Sequence, residues 1–354
     1  MKQVQWSDVY ISASAASLAQ PESVADAVRQ GRCDAQEAEL QDYARISVAA
    51  EGQTPADMAV AAGRHAMERS GRSDGVELLM HASVGFQGID HWSPAAYIQN
   101  RTIGGRAAAF EVKQASNGAL VALNLAAAHV TSGAPSSAVL ITTGDAYPLP
   151  VFDRYRSDQG TVRADGGAAM LVTRSQGVAR LLSTALVGDA THEEIHRAGE
   201  QWRTTPGEAG WPVDLRARKE GYLRTDAQPG HAVSQTLIGG NKEALQTALA
   251  DANTSLDDIE VLVLPNLGRQ ATDRMFRLTE QGIDFSRTCW DWGRNVGHIG
   301  AGDQLAALTH LFETRRVRIG DRIALCGLGS GFTFGCAVLE ITAEPDWSPT
   351  ACLP

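Results

Sequence analysis

Short apolar runs closed by glycine, proline or aspartate alternate along this chain with segments of helical periodicity. Such runs, rich in aliphatic side chains, are typical of buried strands. They predict strands at residues 78–84, 137–145, 167–174, 259–266, 321–329 and 332–341. Helical spacing and capping residues predict helices at residues 54–71, 117–132, 241–255 and 303–316, with another near residue 270. The alternation indicates an α/β chain with buried sheets.

The same order of strand, helix and paired strands occurs twice, within residues 78–174 and 259–341. This predicts two related halves, residues 1–175 and 176–354, although the repeat is hardly visible as sequence identity. Between them lies a polar segment, residues 196–231, rich in glycine, proline and arginine. We expect it to pass over a functional site; the alternative is a surface loop without a role.

Composition and charge narrow the function classes. The chain has 354 residues, 44% of them hydrophobic, enough for one large core or two fused ones. A net charge of −10 disfavours non-specific binding to nucleic acid or anionic membranes. The first residues lack a signal-peptide pattern and no apolar run approaches membrane-spanning length, so we expect a cytoplasmic protein. The five cysteines have no CxxC spacing, which predicts reduced core residues.

Ser116 lies at a predicted strand-to-helix corner, in "FEVKQASNGALVAL", between small neighbours that leave it uncovered. Free backbone N–H groups at a helix start favour negative charge, so an oxyanion could be stabilised there. The preceding residues are expected to form a buried strand. The alternative for Ser116 is an ordinary helix cap.

His298 and Asp303 share the glycine-rich segment "WGRNVGHIGAGDQLAAL". Their five-residue spacing, through glycines, allows a tight loop that aims the carboxylate at one imidazole nitrogen and frees the other. This is the base-and-orienter half of a Ser-His-Asp triad. The alternatives are a packed loop histidine and an Asp303 that only caps the following helix. Farther on, "CGLGSGFTFG" precedes a strand, so it predicts a hairpin whose glycines permit close backbone approach.

The segment "HEEIH", residues 192–196, matches a zinc-binding pattern that requires both histidines on one helix face. The helical window is short and no third ligand is obvious. We therefore expect a solvated face near the residue 196–231 segment, and a zinc hydrolase is a minor alternative.

Four motifs, "KQASNGAL", "RADGGAAMLV", "WGRNVGHIGAGD" and "CGLGSGFTFG", together resemble the ketoacyl-ACP synthase III branch of the thiolase superfamily. The resemblance covers nearly the whole chain. It implies a five-layered αβαβα fold with duplicated halves, a homodimer and no permanently bound cofactor. It also implies an acyl-CoA or acyl carrier protein thioester as donor, whose pantetheine arm enters a tunnel.

The chain departs from that family at the residues that carry its chemistry. Ser116 stands where the family has its nucleophilic cysteine, Asn266 where it has a histidine, and His298 where it has an asparagine. The resemblance implies an oxyanion hole formed by the backbone N–H groups of Ser116 and Ser330. Asn266 would help to bind or polarise a carbonyl.

These changes are chemically consistent with one another. A cysteine can be activated by a lowered pKa, whereas a serine hydroxyl needs a base, which His298 with Asp303 would supply. The pattern therefore resembles acyltransferases and starter-unit enzymes of polyketide pathways. It predicts acyl transfer through a Ser116 ester to a second acceptor. The alternatives are condensation with malonyl-ACP by a starter-unit ketosynthase, and a catalytically silent partner subunit.

Several arginines are candidates for binding a CoA phosphate or an acidic helix of a carrier protein. We predict this role first for Arg154 and Arg269. The others are Arg156, Arg274 and residues 216–219. The alternative for each is an ordinary surface charge.

Overall fold

The computed structural model describes residues 4–73, 75–174, 176–205, 210–224 and 230–348. The strands are β1 Tyr10–Leu18, β2 Gln20–Ser23, β3 Arg45–Val48, β4 Val76–Ala82, β5 Ala108–Val112, β6 Ala138–Asp145, β7 Gly166–Thr173, β8 Ala179–Gly188, β9 Ile259–Val263, β10 Arg322–Gly329 and β11 Thr333–Ile341. The helices are α1 Val24–Arg29, α2 Ala35–Gln41, α3 Pro55–Ser70, α4 Pro94–Thr102, α5 Gly118–Ser132, α6 Leu215–Leu223, α7 Gly230–Asp251, α8 Arg269–Phe276, α9 Trp290–Gly293 and α10 Asp303–Glu313.

Nine of the described strands form one mixed sheet in the order β5-β4-β6-β7-β1-β8-β11-β10-β9. Its two parts meet where β1 and β8 pair over only Tyr10–Arg180 and Ile11–Ala179. The first part contains β1 and β4 to β7, and the second contains β8 to β11. The predicted boundary near residue 176 falls in the connection between β7 and β8.

Helices α5 and α10 each contact strands of both parts and form the central layer. The sequence of α5, GALVALNLAAAHVTS, is apolar on nearly all sides, as expected of a helix enclosed between sheets. Helix α3 packs on β1, β6 and β7, and α7 packs on β8 and β11. The result is the αβαβα layering of the thiolase-like fold, which confirms the predicted fold class.

The six predicted strands and the helices at α3, α5, α8 and α10 are confirmed, with small shifts at their ends. The prediction of a buried strand before Ser116 is wrong, because β5 is an edge strand with mainly exposed side chains. Helix α7 begins at Gly230, earlier than predicted. The segment 196–231 contains α6, while its residues 206–209 and 225–229 lie outside the described residues.

Four cysteines, Cys33, Cys289, Cys326 and Cys336, are buried and free, as predicted; Cys352 lies outside the described residues. Burial raises the pKa of the Cys289 thiol to about 12, which disfavours the reactive thiolate. None of the described helices combines the length and the apolar character needed to cross a membrane.

Candidate active site

Ser116 lies in a 3₁₀ turn, Ala115–Asn117, between the end of β5 and the start of α5. The preceding residue, Ala115, has a φ of +47°, in the left-handed region that non-glycine residues rarely adopt. Backbone strain of this kind persists where the surrounding packing enforces it, and it is frequent at functional sites. The sharp turn presents the half-buried Ser116 side chain at the beginning of a long buried helix.

The hairpin of β10 and β11 packs directly against this turn, and its glycines make the contact possible. A Cβ atom at Gly327 would lie 2.4 Å from the Asn117 Oδ1 atom, and one at Gly329 would lie 2.5 Å from the Gln114 carbonyl oxygen. Both separations are shorter than real Cβ contacts, so larger residues would push the hairpin away. The predicted hairpin is confirmed, and the close packing brings Ser330 to the cavity that contains Ser116.

The loop carrying His298 is held from the first part of the fold. The His298 backbone N–H donates to the Val162 carbonyl at 3.1 Å, and its carbonyl accepts from the Ala164 N–H at 2.9 Å. Gly300, with a φ of +72°, leaves room for the Asp145 carboxylate, which a Cβ atom there would approach to 2.2 Å. The loop therefore depends on glycine for both its conformation and its packing.

Asp145, at the carboxyl end of β6, holds this loop in place through hydrogen bonds to its buried carboxylate. Its buried carboxylate accepts backbone hydrogen bonds from Val84, Gly85 and Ala301 at 2.7, 2.9 and 3.0 Å. Burial raises the pKa of Asp145 to about 6, against the opposing effect of these donors. The sequence analysis missed Asp145. A carboxylate as the last residue of a buried strand was the signal that could have found it.

Ser116, His298 and Asp303 form a continuous chain of hydrogen bonds. The Ser116 Oγ atom lies 2.8 Å from His298 Nε2, and His298 Nδ1 lies 2.5 Å from Asp303 Oδ2. The side chains of His298 and Asp303 are 1% and 0% exposed. Because a carboxylate accepts the Nδ1–H, the tautomer that fits leaves the Nε2 lone pair for the serine proton. The residues predicted as a triad are thus in hydrogen-bond contact across the two parts of the fold.

The Asp303 carboxylate is oriented by the surrounding backbone. Its oxygens accept from the Ile299 N–H at 2.9 Å and from the Asn266 N–H at 2.7 Å. The alternative of a helix cap is wrong, because Gly302 occupies the capping position and Asp303 makes no capping bond. The Asp303 carboxylate instead accepts hydrogen bonds from the His298 ring and from the backbone of the His298 loop.

The prediction that the Asn266 side chain polarises a substrate carbonyl needs correction. Its amide donates to the Gly297 carbonyl at 2.9 Å, and its backbone carbonyl accepts from the Tyr43 hydroxyl at 2.6 Å. The residue is 3% exposed and stands apart from the cavity that contains Ser116. Asn266 therefore positions Asp303 and the His298 loop from within the protein.

Ser116, His298 and Ser330 open into a cavity of about 280 Å³. Its wall is mostly apolar, with Leu223 and Val233 among its side chains, as is usual for small-molecule sites. Its polar lining residues include Asp158, Arg163, His196 and Lys219. The sequence analysis considered His196 only for zinc and Lys219 only within residues 216–219, and it did not single out Asp158 or Arg163. These four residues come from separate segments, so no local pattern joined them.

The two arginines predicted to bind a CoA phosphate differ in their availability. Arg154 makes a two-pronged ion pair with Asp165 at 3.0 and 3.1 Å, and its side chain is 13% exposed. This prediction is therefore corrected, because the Arg154 guanidinium is largely buried and already paired with the Asp165 carboxylate. Arg269 is half exposed at the start of α8, with its guanidinium over the Phe285 ring. Its role in binding a donor remains a prediction.

The expectation of a solvated face at "HEEIH" is wrong for both histidines. His192 is 2% exposed and bonds the Tyr222 hydroxyl through Nδ1 at 2.9 Å. His196 lines the cavity with its ring against Phe332. Residues Glu193–His196 form a 3₁₀ turn, which lacks the α-helical spacing that the zinc motif requires. Within the described residues, no group of three or more His, Cys, Asp or Glu side chains is arranged to hold a metal.

Comparison with known proteins agrees with this fold. Family models for 3-oxoacyl-[acyl-carrier-protein] synthase III and for its C-terminal domain match residues 110–190 and 249–341. The solved structure of ChlB3, an acyltransferase, superposes with a TM-score of 0.88 at 31% identity over 96% of this chain and 99% of that chain. The beta-ketoacyl-[acyl-carrier-protein] synthase III of Clostridium beijerinckii is 24% identical over 82% of this chain and 85% of its own length.

A beta-ketoacyl-[acyl-carrier-protein] synthase III from Thermus thermophilus superposes with a TM-score of 0.75 at 21% identity, over 95% of this chain and 99% of that chain. At that identity the similarity shows the fold alone. The fold and the site define a thiolase-type acyl-transfer enzyme. The chain belongs to the ketoacyl-ACP synthase III-like family of the thiolase superfamily, whose members are transferases and condensing enzymes.

Proposed function

We propose that this protein is an acyltransferase that moves an acyl group from a thioester donor, through an ester on Ser116, to a second acceptor. The observation that carries the proposal is the hydrogen-bonded chain from Ser116 Oγ through His298 to Asp303. A serine hydroxyl is too weak a nucleophile without a base in contact, and this arrangement supplies one. The catalytic residues are Ser116 and His298, with Asp303 as the residue that orients and compensates the imidazole.

In the first half-reaction the Ser116 oxygen attacks the thioester carbonyl while His298 Nε2 accepts the hydroxyl proton. The carbon–sulfur bond then breaks, and His298 returns the proton to the leaving thiolate, giving a free thiol and the Ser116 ester. The backbone N–H groups of Ser116 and Ser330 are proposed to bind the oxyanion between these steps. Ser330 lies at the turn of the hairpin, on the same cavity as the nucleophile.

The second half-reaction repeats this chemistry with an acceptor hydroxyl, amine or thiol. His298 takes the acceptor proton, the acceptor attacks the ester carbonyl, and the proton passes to Ser116 Oγ as it leaves. Both reactants use the same cavity in turn, so the donor thiol must depart before the acceptor enters. The cavity volume of about 280 Å³ suits a short or single-ring acyl group, since a cavity of about 150 Å³ holds benzene.

We propose acyl carrier protein or coenzyme A thioesters as donors and a natural-product pathway, such as polyketide biosynthesis, as the setting. The carrier-protein synthases among the relatives support the donor class, and the acyltransferase ChlB3 supports acyl transfer. The pathway rests on the resemblance of the Ser116, His298 and Asp303 pattern to polyketide-pathway acyltransferases. A homodimer and a cytoplasmic location belong to the same proposal. Arg269 remains the candidate contact for the donor.

The direct test is intact-protein mass spectrometry after incubation with a panel of acyl-CoA and acyl-ACP donors. We expect one donor class to add a single acyl mass, located by peptide mapping on Ser116, and a matching acceptor to remove it. Acylation of Cys289, Cys326 or any other residue, with Ser116 unmodified, would refute the serine mechanism.

A second candidate function is condensation with malonyl-ACP, which the synthase III relatives favour. Condensation requires donors aimed at a thioester enolate. Here the Asn266 side-chain amide already donates to the Gly297 carbonyl, and His298 Nε2 contacts the Ser116 hydroxyl. We therefore expect carbon dioxide release from malonyl-ACP to stay at the rate without protein, measured with labelled malonyl carboxyl. Rapid release with a ketoacyl product would establish the condensing function instead.

A further inference from the structure

The cavity has a polar corner, which we define as Asp158, Arg163, His196 and Lys219. Asp158 accepts from Arg163 at 2.8 Å and from Lys219, which also forms an ion pair with it. The side chains of Asp158, Arg163 and Lys219 are 3%, 12% and 25% exposed. Within these four residues one carboxylate therefore pairs with two cations, which leaves one positive charge in excess; the Asp303 carboxylate also acts on Arg163, from outside the corner.

The electrostatics of these groups show that the surplus persists at neutral pH. Burial alone would raise the pKa of Asp158, but the charges of Lys219 and Arg163 outweigh burial and hold that pKa below its ordinary value. Burial, with a further effect from Lys219, lowers the pKa of His196 to about 4, so its imidazole is neutral at pH 7. Asp158 is therefore charged and the His196 ring neutral at pH 7.

Two polar groups of this corner have unused hydrogen-bonding capacity. The Arg163 Nε atom and the His196 Nδ1 atom are buried and have no hydrogen-bond partner among the described residues. Leaving a buried polar atom without a partner is costly, so such atoms call for an explanation such as a ligand. Both residues line the cavity that contains Ser116.

The corner also adjoins the nucleophile's base. The backbones of Arg163 and His298 form an isolated β-bridge, which places Arg163 next to the base of the triad. His196 lies against Phe332, which stands two residues after Ser330. An acyl group esterified to Ser116 would extend into the cavity that this corner lines.

We propose that the polar corner recognises an oxygen substituent on the acyl group, a hydroxyl or a carboxylate, with Arg163 and His196 as hydrogen-bonding groups. The inference rests on the proposed function, since it assigns the acyl class that Ser116 carries. A surplus of positive charge favours an oxygen that accepts hydrogen bonds, and an unsubstituted chain would leave the buried groups unpaired. The residues of the corner are specificity determinants and take no part in proton transfer.

The test compares three pantetheine thioesters with four-carbon acyl groups: butanoyl, 3-hydroxybutanoyl and 3-carboxypropanoyl. The rate of Ser116 acylation, as kcat/KM, is measured for each donor by mass spectrometry. We expect one oxygen-bearing donor to exceed butanoyl by at least about tenfold, the scale of one buried hydrogen bond. The pantetheine arm is common to all three, so its binding cancels in the ratio.

In His196→Leu this ratio should fall to about one, because the hydrogen-bonding group that favours the oxygen-bearing donor is gone. Lys219→Met, which leaves Asp158 paired with Arg163, should selectively weaken the 3-carboxypropanoyl donor and so distinguishes carboxylate from hydroxyl recognition. Leu237→Met, on the same cavity wall, is the matched control and should preserve the ratio. Thermal unfolding of each variant checks the fold.

A wild-type ratio near one would overturn the inference, as would a ratio that survives both His196→Leu and Lys219→Met. Equal weakening of all three donors would show that the corner binds the pantetheine arm, which also overturns it. In each of these cases Ser116 is still acylated, so the proposed function stands. Failure of these donors and of the whole acyl-CoA and acyl-ACP panel to acylate Ser116 would overturn both.

Discussion

Replacing Ser116 with alanine is expected to abolish covalent acylation, and replacing His298 with alanine to slow it by about 10⁶-fold. Losses of this size follow removal of the nucleophile or base of a serine triad, because neither works without the other. The 2.8 Å contact between Ser116 Oγ and His298 Nε2 is the basis of this expectation. The measurement is single-turnover acylation of the intact protein by the best donor.

The double variant Ser116→Ala, His298→Ala should transfer the acyl group from donor to acceptor at the same residual rate as either single variant. Groups that act as one unit lose their effect together, so the two losses should not multiply. Melting temperatures of the three variants control for damage to the fold. Full acylation in His298→Ala would assign the base to another residue.

The fold was largely predictable because its central strands are continuous apolar runs. Strand β6, "AVLITTGD", is buried at every position and was predicted almost to the residue. The central strand β1 was missed, since "YISASAASL" mixes alanines with serines, of which Ser14 and Ser17 are buried. Its Ser14 accepts a hydrogen bond from Thr309 at 3.0 Å, a partner that only the folded chain supplies.

The triad could be predicted because its chemistry constrains residue types, and His298 and Asp303 lie only five positions apart. Asn266 could not be assigned correctly, because its carboxamide has the same polar groups whether it faces a substrate or the Gly297 carbonyl. The polar corner was beyond sequence reasoning for a different reason. Asp158, His196 and Lys219 meet only through tertiary packing, and none belongs to a motif that names the others.

Replacing Ser116 with cysteine is expected to reduce the dependence of acylation on His298 from about 10⁶-fold to roughly 10- to 100-fold. A free thiol is a few per cent ionised near pH 7, so losing the base costs a cysteine about the inverse of that fraction. The start of α5, a 15-residue helix, should stabilise the thiolate further. Cysteine is close to serine in shape, so the turn at Ala115–Asn117 should be preserved.

The measurement is a two-by-two comparison of acylation rates: serine or cysteine as the nucleophile at position 116, each with His298 intact or replaced by alanine. A large interaction between the two positions would show that His298 acts by removing the proton of residue 116, since that is the step a thiolate bypasses. The rate of Ser116→Cys, His298→Ala should also rise with pH as the thiol ionises. Equal losses in both backgrounds would mean that His298 stabilises the oxyanion or positions the donor, and the base would have to be sought elsewhere.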